Sequence, residues 1–172
     1  AGMDYVQHVA SPFPAGVPKD PDDLIRPAKE GALRVLKAAK AAGVKRVVMT
    51  SSVAAIAYGW GNARPAVMTE EHWSKPDNIK DNTAYARSKT IAELAAWEYV
   101  RGEGQGLELA VINPAGVLGP VMSGDLSSSL ELLTQPMSGK IPAVPRIGFS
   151  IVDVRDVASA HVSAMTLPEA AG

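Results

Sequence analysis

The sequence predicts an α/β fold, a parallel sheet with helices packed on its faces. Two observations predict it. Strand-like and helix-like segments alternate along the chain, at residues 4–10, 22–42, 44–50, 83–100 and 107–113. The run Val47-Val48-Met49 is continuously apolar, the pattern of a strand covered on both sides.

Residues 4–10 read as a short buried strand that stops at Ser11-Pro12-Phe13-Pro14. No capping segment precedes it, so the chain looks like an internal piece of something longer. The proline-rich stretch to Pro21 is a loop. Residues 22–42 read as a helix, with Asp22 or Asp23 as N-cap or first-turn acid. Leu24, Ala28, Leu33, Leu36 and Ala39 trace its apolar stripe, Pro27 sits early enough to be tolerated, and Gly43 ends it. Residues 44–50 rise into the second strand, finishing at Thr50-Ser51-Ser52.

Residues 53–82 form a long irregular stretch holding Tyr58, Trp60 and Trp73. A loop of that length inside a compact domain is often functional. Trp60 and Trp73 read as loop anchors, with a share in a substrate pocket as the alternative. Residues 83–100 read as one helix with Ile91, Leu94, Ala95 and Tyr99 near one stripe, closed by Gly102 and Gly104. Residues 107–113 are a third apolar strand, broken by Pro114, and residues 115–120 a turn-rich exit. A short helix over 126–134, capped by Asp125, a loop over 136–145 and a brief strand over 149–152 follow. Residues 153–156 lead into a last helix over 157–166.

Composition excludes several functions. The 172 residues carry a formal net charge of −1, with 47% hydrophobic and 20% charged residues, an ordinary globular balance. No basic run supports nucleic-acid binding. No segment reaches the ~20 apolar residues of a membrane span, and no secretory signal is visible, so the cytoplasm is the default location. Without cysteine there is no disulfide, thiolate site or cysteine nucleophile. His8, His72 and His161 share no metal-ligand spacing, so no metal is expected. Glu70-Glu71 reads as a solvated turn.

Tyr85 and Lys89 stand at i and i+4 on one helix and face the same way. A phenol titrates near pH 10, and a nearby ammonium lowers that value. Such a pair is a tuned proton donor or acceptor, which carbonyl reduction and alcohol oxidation require. In parallel sheets ligands bind at the C-terminal ends of the strands. His8-Val9-Ala10-Ser11, Thr50-Ser51-Ser52, Asn113-Pro114-Ala115-Gly116 and the segment before Asp153 all fall at such ends.

Taken together, these motifs resemble the extended short-chain dehydrogenase/reductases of the NAD-dependent epimerase/dehydratase type. The residues that carry the resemblance are His8 to Pro12, Val48 to Ser52, Tyr85 with Ser88-Lys89-Thr90, Ala92-Glu93, Ala96-Trp97, Asn113 to Pro120 and Val152 to Ala158. The branch they resemble holds dihydroflavonol reductase, cinnamoyl-CoA reductase and fungal aldehyde or methylglyoxal reductases. The resemblance implies that residues 1–172 are the C-terminal part of a Rossmann-like, doubly wound parallel sheet, with pieces of a substrate lobe at about 119–150. It also implies a catalytic Ser52, Tyr85 and Lys89. Tyr85 would protonate a carbonyl oxygen and Ser52 would hold it. Lys89 would depress the Tyr85 pKa and bond the nicotinamide ribose. The resemblance implies Ser52 rather than Ser51, because the family's serine directly precedes the small-residue stretch, here Val53-Ala54-Ala55. Strand neighbours alternate faces, so only one of the two can easily point inward.

Ala10, Ser11, Thr50, Ser51, Pro114, Ala115, Gly116 and Val117 would line the cofactor, NADP or alternatively NAD. Val53, Tyr58 and the loop over 119–146 would meet a small carbonyl substrate. The family's glycine-rich strand-turn-helix, which receives the pyrophosphate, is absent from this sequence, as is the residue that selects between NAD and NADP. These residues alone are expected to bind dinucleotide poorly and to expose an apolar sheet edge. The reading is an NAD(P)H-dependent reductase of an aldehyde or ketone. A nucleotide-sugar epimerase or dehydratase and a non-catalytic dinucleotide-binding protein are the alternatives. Subunit number is not legible.

Overall fold

A computed structural model describes residues 2–13, 16–121, 128–139, 146 and 148–172. The elements are β1 (Tyr5–His8), α1 (Asp22–Ala41), β2 (Arg46–Thr50), α2 (Ala84–Arg101), β3 (Glu108–Ile112), β4 (Gly116–Leu118), α3 (Ser128–Met137), β5 (Ile151–Asp153) and α4 (Val154–Thr166). Strands β1, β2 and β3 form one parallel sheet in that order, and β4 and β5 pair parallel in a second. The predicted α/β architecture is therefore observed.

Side-chain alternation on β2 and β3 sorts the layers. Val47, Met49 and Leu109 pack with Ala32, Leu36 and Ala39 of α1 and Ala96 of α2. Val48 and Ala110 point the other way, onto Ala164 of α4. Helix α1 presents Leu24, Ala28, Ala32, Leu36 and Ala39 to this core. Ala32 rather than Leu33 holds the fully buried position. Both early acids lie in the first turn, where they complement the helix dipole, and Pro21 is the N-cap. Gly43, at φ 72°, supplies the left-handed exit.

Several expectations need correction. Among the described residues β1 is an edge strand, paired with β2 alone, and its Tyr5 and Gln7 are exposed rather than buried because no described element covers that face. The apolar stripe expected on α2 is not the buried one: Leu94 is exposed, while Ala86, Ser88, Lys89, Thr90, Ala92, Glu93, Ala95 and Ala96 are buried. Small side chains let α2 lie close to α1 and to the turn Val53–Ala55, and its polar ones face the sheet rim.

The turn-rich exit contains strand β4. Its partner is β5, far along the chain, with the Gly116 amide 3.0 Å from the Ser150 carbonyl and Val117 opposite Val152. The predicted strand over 149–152 is observed at Ile151–Asp153, and α3 runs on through Pro136. Helix α4 starts at Val154 rather than 157, because the Asp153 carboxylate accepts the Arg155 amide at 2.8 Å and so sets the cap earlier. The Asp125 cap and most of the loop over 136–145 lie outside the described residues. Among the described residues no helix is long and apolar enough to cross a membrane.

Candidate active site

The parallel strands deliver their C-terminal ends to one rim. Past β2, the Ser51 amide donates to the Ile112 carbonyl at 2.8 Å, which keeps the rim of β2 joined to β3. Ser52 is extended and caps the short turn Val53–Ala55: its hydroxyl accepts the Ala54 amide at 3.1 Å. The Val53 amide donates to the Pro114 carbonyl at 3.1 Å, tying this turn to the exit of β3. The turn packs against α2.

Helix α2 begins with Thr83 as cap, its hydroxyl accepting the Ala86 amide at 3.1 Å. That cap places Tyr85 in the first turn and Lys89 one turn on. The Ser52 hydroxyl lies close enough to the Tyr85 phenol to favour its ionised form. The Lys89 ammonium stands over the Tyr85 ring, 5.7 Å from its centroid. Ser52, Tyr85 and Lys89 thus occupy one place, although they come from two separate elements.

Burial dominates the electrostatics. It pushes the Tyr85 phenol above its ordinary value, the Ser52 hydroxyl offsets part of that, and Tyr58 adds to the rise. Lys89 stands where the spacing expected it, beside a phenol that burial raises overall. Lys89 itself is lowered by burial, opposed by the Glu93 carboxylate. His8 is lowered by burial and then by the Lys89 charge.

The other expected residues divide. His8, Ala10, Ser11, Thr50, Ser51 and Lys89 line a common cleft at the ends of β1 and β2. The Ser51 hydroxyl is buried there and has no partner among the described residues. Thr50 contributes to the cleft, yet its hydroxyl turns to α4 and meets His161 Nε2 at 2.6 Å. A carbonyl only accepts, so His161 Nδ1 donates to Val157 at 2.8 Å. Pro114 sits beside Val53, whereas Ala115, Gly116 and Val117 run on into β4.

Val53 opens the Ser52 turn, and Tyr58 lies close enough to act on Tyr85. Of the loop over 119–146, residues 122–127 and 140–145 lie outside the described residues. Trp60 anchors its loop, donating to the Ile56 carbonyl at 2.9 Å with the Lys75 ammonium over its ring. Gly59 sits at φ 80°, and a Cβ there would stand 2.5 Å from the Lys75 carbonyl oxygen, so only glycine closes the loop. Trp73 lines a separate cavity of about 850 Å³ against β3, whose lining includes neither Ser52 nor Tyr85. Among the described residues no group of His, Asp and Glu could hold a metal.

Sequence reasoning missed Phe13 at this site. Its ring meets Tyr85 edge-on at 4.9 Å while remaining 58% exposed. The signal was an aromatic residue isolated between Pro12 and Pro14, right after the first strand end.

Comparison with known proteins finds relatives along the whole chain. The chain is 40% identical over 175 residues to cinnamoyl-CoA reductase CAD2 of Medicago truncatula, covering 99% of this chain and 52% of that protein. It is 39% identical to cinnamoyl-CoA reductase 1 of Arabidopsis thaliana, covering 99% and 48%. Among solved structures, yeast methylglyoxal/isovaleraldehyde reductase Gre2 complexed with NADPH superposes with a TM-score of 0.82 at 33% identity, over 98% of this chain and 54% of that one. The chain spans about half the length of the curated relatives it matches. The NAD dependent epimerase/dehydratase family matches residues 1–172, and the chain belongs to that family.

Proposed function

We propose that the full-length protein is an NADPH-dependent reductase of a small aldehyde or ketone, and that Ser52, Tyr85 and Lys89 carry its chemistry. The observation behind this reading is the meeting of the Ser52 hydroxyl with the Tyr85 phenol beside the Lys89 ammonium. The raised phenol keeps its proton at neutral pH, so Tyr85 is a donor, the role that reduction needs. Ser52 Oγ accepts from Ala54, which leaves its own hydrogen for a substrate oxygen. Developing negative charge on that oxygen would meet two donors and a nearby cation.

The donors at the ends of β1 and β2 suit the polar nicotinamide end of a dinucleotide in chemical type. An orphaned buried hydroxyl, Ser51 Oγ, lies among the cleft's lining residues and calls for a partner. Ala10, Ser11, Thr50, Ser51 and Lys89 would hold the ribose and ring, with Pro114 to Val117 beyond. When bound, the cofactor supplies a hydride to the carbonyl carbon. Tyr85 gives its proton to the carbonyl oxygen, and the product is an alcohol. The relatives' names support reduction, and Gre2 was solved with NADPH. On this reading residues 1–172 are the C-terminal part of the dinucleotide-binding domain, and residues 119–150 contribute to the substrate lobe.

The test follows NADPH absorbance in the full-length protein with a panel of aldehydes and ketones. Tyr85→Phe should lower kcat by about 10²- to 10⁴-fold. Activity that survives this change removes Tyr85 from its role. Interconversion of nucleotide sugars without net NADPH consumption would replace the reductase with an epimerase.

A further inference from the structure

Glu93 is a buried carboxylate, 6% exposed, with no role in the chemistry above. It lies on α2 one turn beyond Lys89. One carboxylate oxygen accepts from Asn113 Nδ2 at 2.8 Å, and the other is 3.4 Å from the indole nitrogen of Trp97. The same Asn113 nitrogen donates to the Ser52 carbonyl at 3.2 Å. A chain of contacts therefore runs from α2, through the end of β3, to the end of β2. It joins the helix that carries Tyr85 and Lys89 to the backbone that carries Ser52.

A carboxylate is a costly residue for that place, because its partners there are neutral and burial opposes charge. Glutamine would still accept from Asn113 through its one amide oxygen, giving up only the longer contact to Trp97. What glutamine lacks is charge, and the cation on the same face of α2, four residues earlier and lining the same cleft at the ends of β1 and β2, is Lys89, itself 7% exposed. The other titratable groups facing this pair are Tyr85, under the ammonium, and His8 on β1, which the ammonium disfavours in its charged form.

We propose that Glu93 is a positioning residue with two functions: it fixes the Ser52 strand end to α2 through Asn113, and it supplies the counter-charge for Lys89. This inference rests on the reading of Ser52, Tyr85 and Lys89 as the reacting groups. The carboxylate neither touches Ser52 nor exchanges a proton. It acts through Asn113 on one reacting residue and through space on the other.

The two functions separate by mutation of the full-length protein. Lys89 titration is read by mass spectrometry, from the pH dependence of its acetylation by acetic anhydride, and that readout needs no activity. Glu93→Gln keeps an acceptor for Asn113 and should move Lys89 titration down by about one pH unit. The alkaline limb of kcat/KM should move with it. Asn113→Ala should leave Lys89 titration in place and lower kcat about 10-fold, through loosened geometry, with KM little changed. Glu93→Asp keeps the charge on a shorter arm, and should behave as Asn113→Ala does. It serves in place of Glu93→Gln if that variant does not fold.

Unchanged Lys89 acetylation in Glu93→Gln, or a one-unit fall in Glu93→Asp, overturns the counter-charge role. An Asn113→Ala variant with wild-type kcat overturns the linkage to Ser52. Absence of any carbonyl reduction in the wild type sinks the proposed reaction instead, while the acetylation profile still decides whether Glu93 governs Lys89.

Discussion

The two faces of the β1–β3 sheet are built from different materials. Toward α1 and α2, Val47, Met49 and Leu109 meet Leu36, Ala32, Ala39, Ala96 and Leu107 in a continuous apolar contact. Toward α4, the buried apolar set is Val48, Ala110 and Ala164, with half-buried Ile112, Met165 and Ala170 against it, and polar side chains join them. Arg46, buried on β2, donates to the Ala164, Met165 and Leu167 carbonyls at 2.8, 3.3 and 2.6 Å, where the last turn of α4 has spare acceptors. Its guanidinium also pairs with Glu108 at 2.7 Å. Four residues on, Thr50 meets His161. Apolar contact is non-directional and sets how much surface is covered. Hydrogen bonds are directional and set where a helix stands. The first face makes the body stable, and the second fixes the register of α4 against the rim that holds the site.

Truncating the apolar face should give the largest effect. Leu36→Ala empties a fully buried position and should cost about 2–5 kcal/mol, read by urea unfolding. Arg46→Met keeps the apolar stem and strands the α4 carbonyls. It should cost about 1–3 kcal/mol, with hydrogen exchange accelerated in α4 ahead of α1 and α2. Uniform acceleration would show that the two faces do not differ as described. Thr50→Val removes the hydroxyl that meets His161 at nearly constant shape and should cost about 1 kcal/mol, again visible first in α4.

The smallest effect is a pH dependence on the α1 side. Burial depresses the His8 pKa below its ordinary 6.5. Between those two values the unfolded chain binds more protons than the folded one. Stability should therefore fall as pH drops below about 6.5, and His8→Gln should flatten that slope in thermal melts at pH 5 and 7.5. A slope that persists in the variant assigns it to other groups.

Much of this was legible from local pattern. The strand ends at Ser11, Ser52 and Asn113 follow from short apolar runs halted by serine and proline. Tyr85 and Lys89 share a face because helix geometry is local. The buried face of α2 was not legible, since periodicity tracks hydrophobicity, and there alanine, serine, lysine and glutamate are inside while Leu94 is out. Strand β4 escaped notice because its partner lies beyond α3, so Gly116 and Gly119 read only as turn residues. The depth of Tyr85 was not legible either: spacing gives proximity to Lys89, but burial comes from packing, and burial raises the phenol.

Pairing from Tyr5 with Arg46 through Thr50 with Ile112 runs one-to-one, without a bulge. That ladder has no slack to absorb a change of length. Deleting one residue of β2 would carry Ser52 into the slot of Ser51 and reverse the facing of the side chains beyond the deletion. Genetic drift in chain length is therefore barred from β2. It remains open at the exposed stretch Gly61–Ala63, where the polypeptide can grow without disturbing the hydroxyl that meets Tyr85.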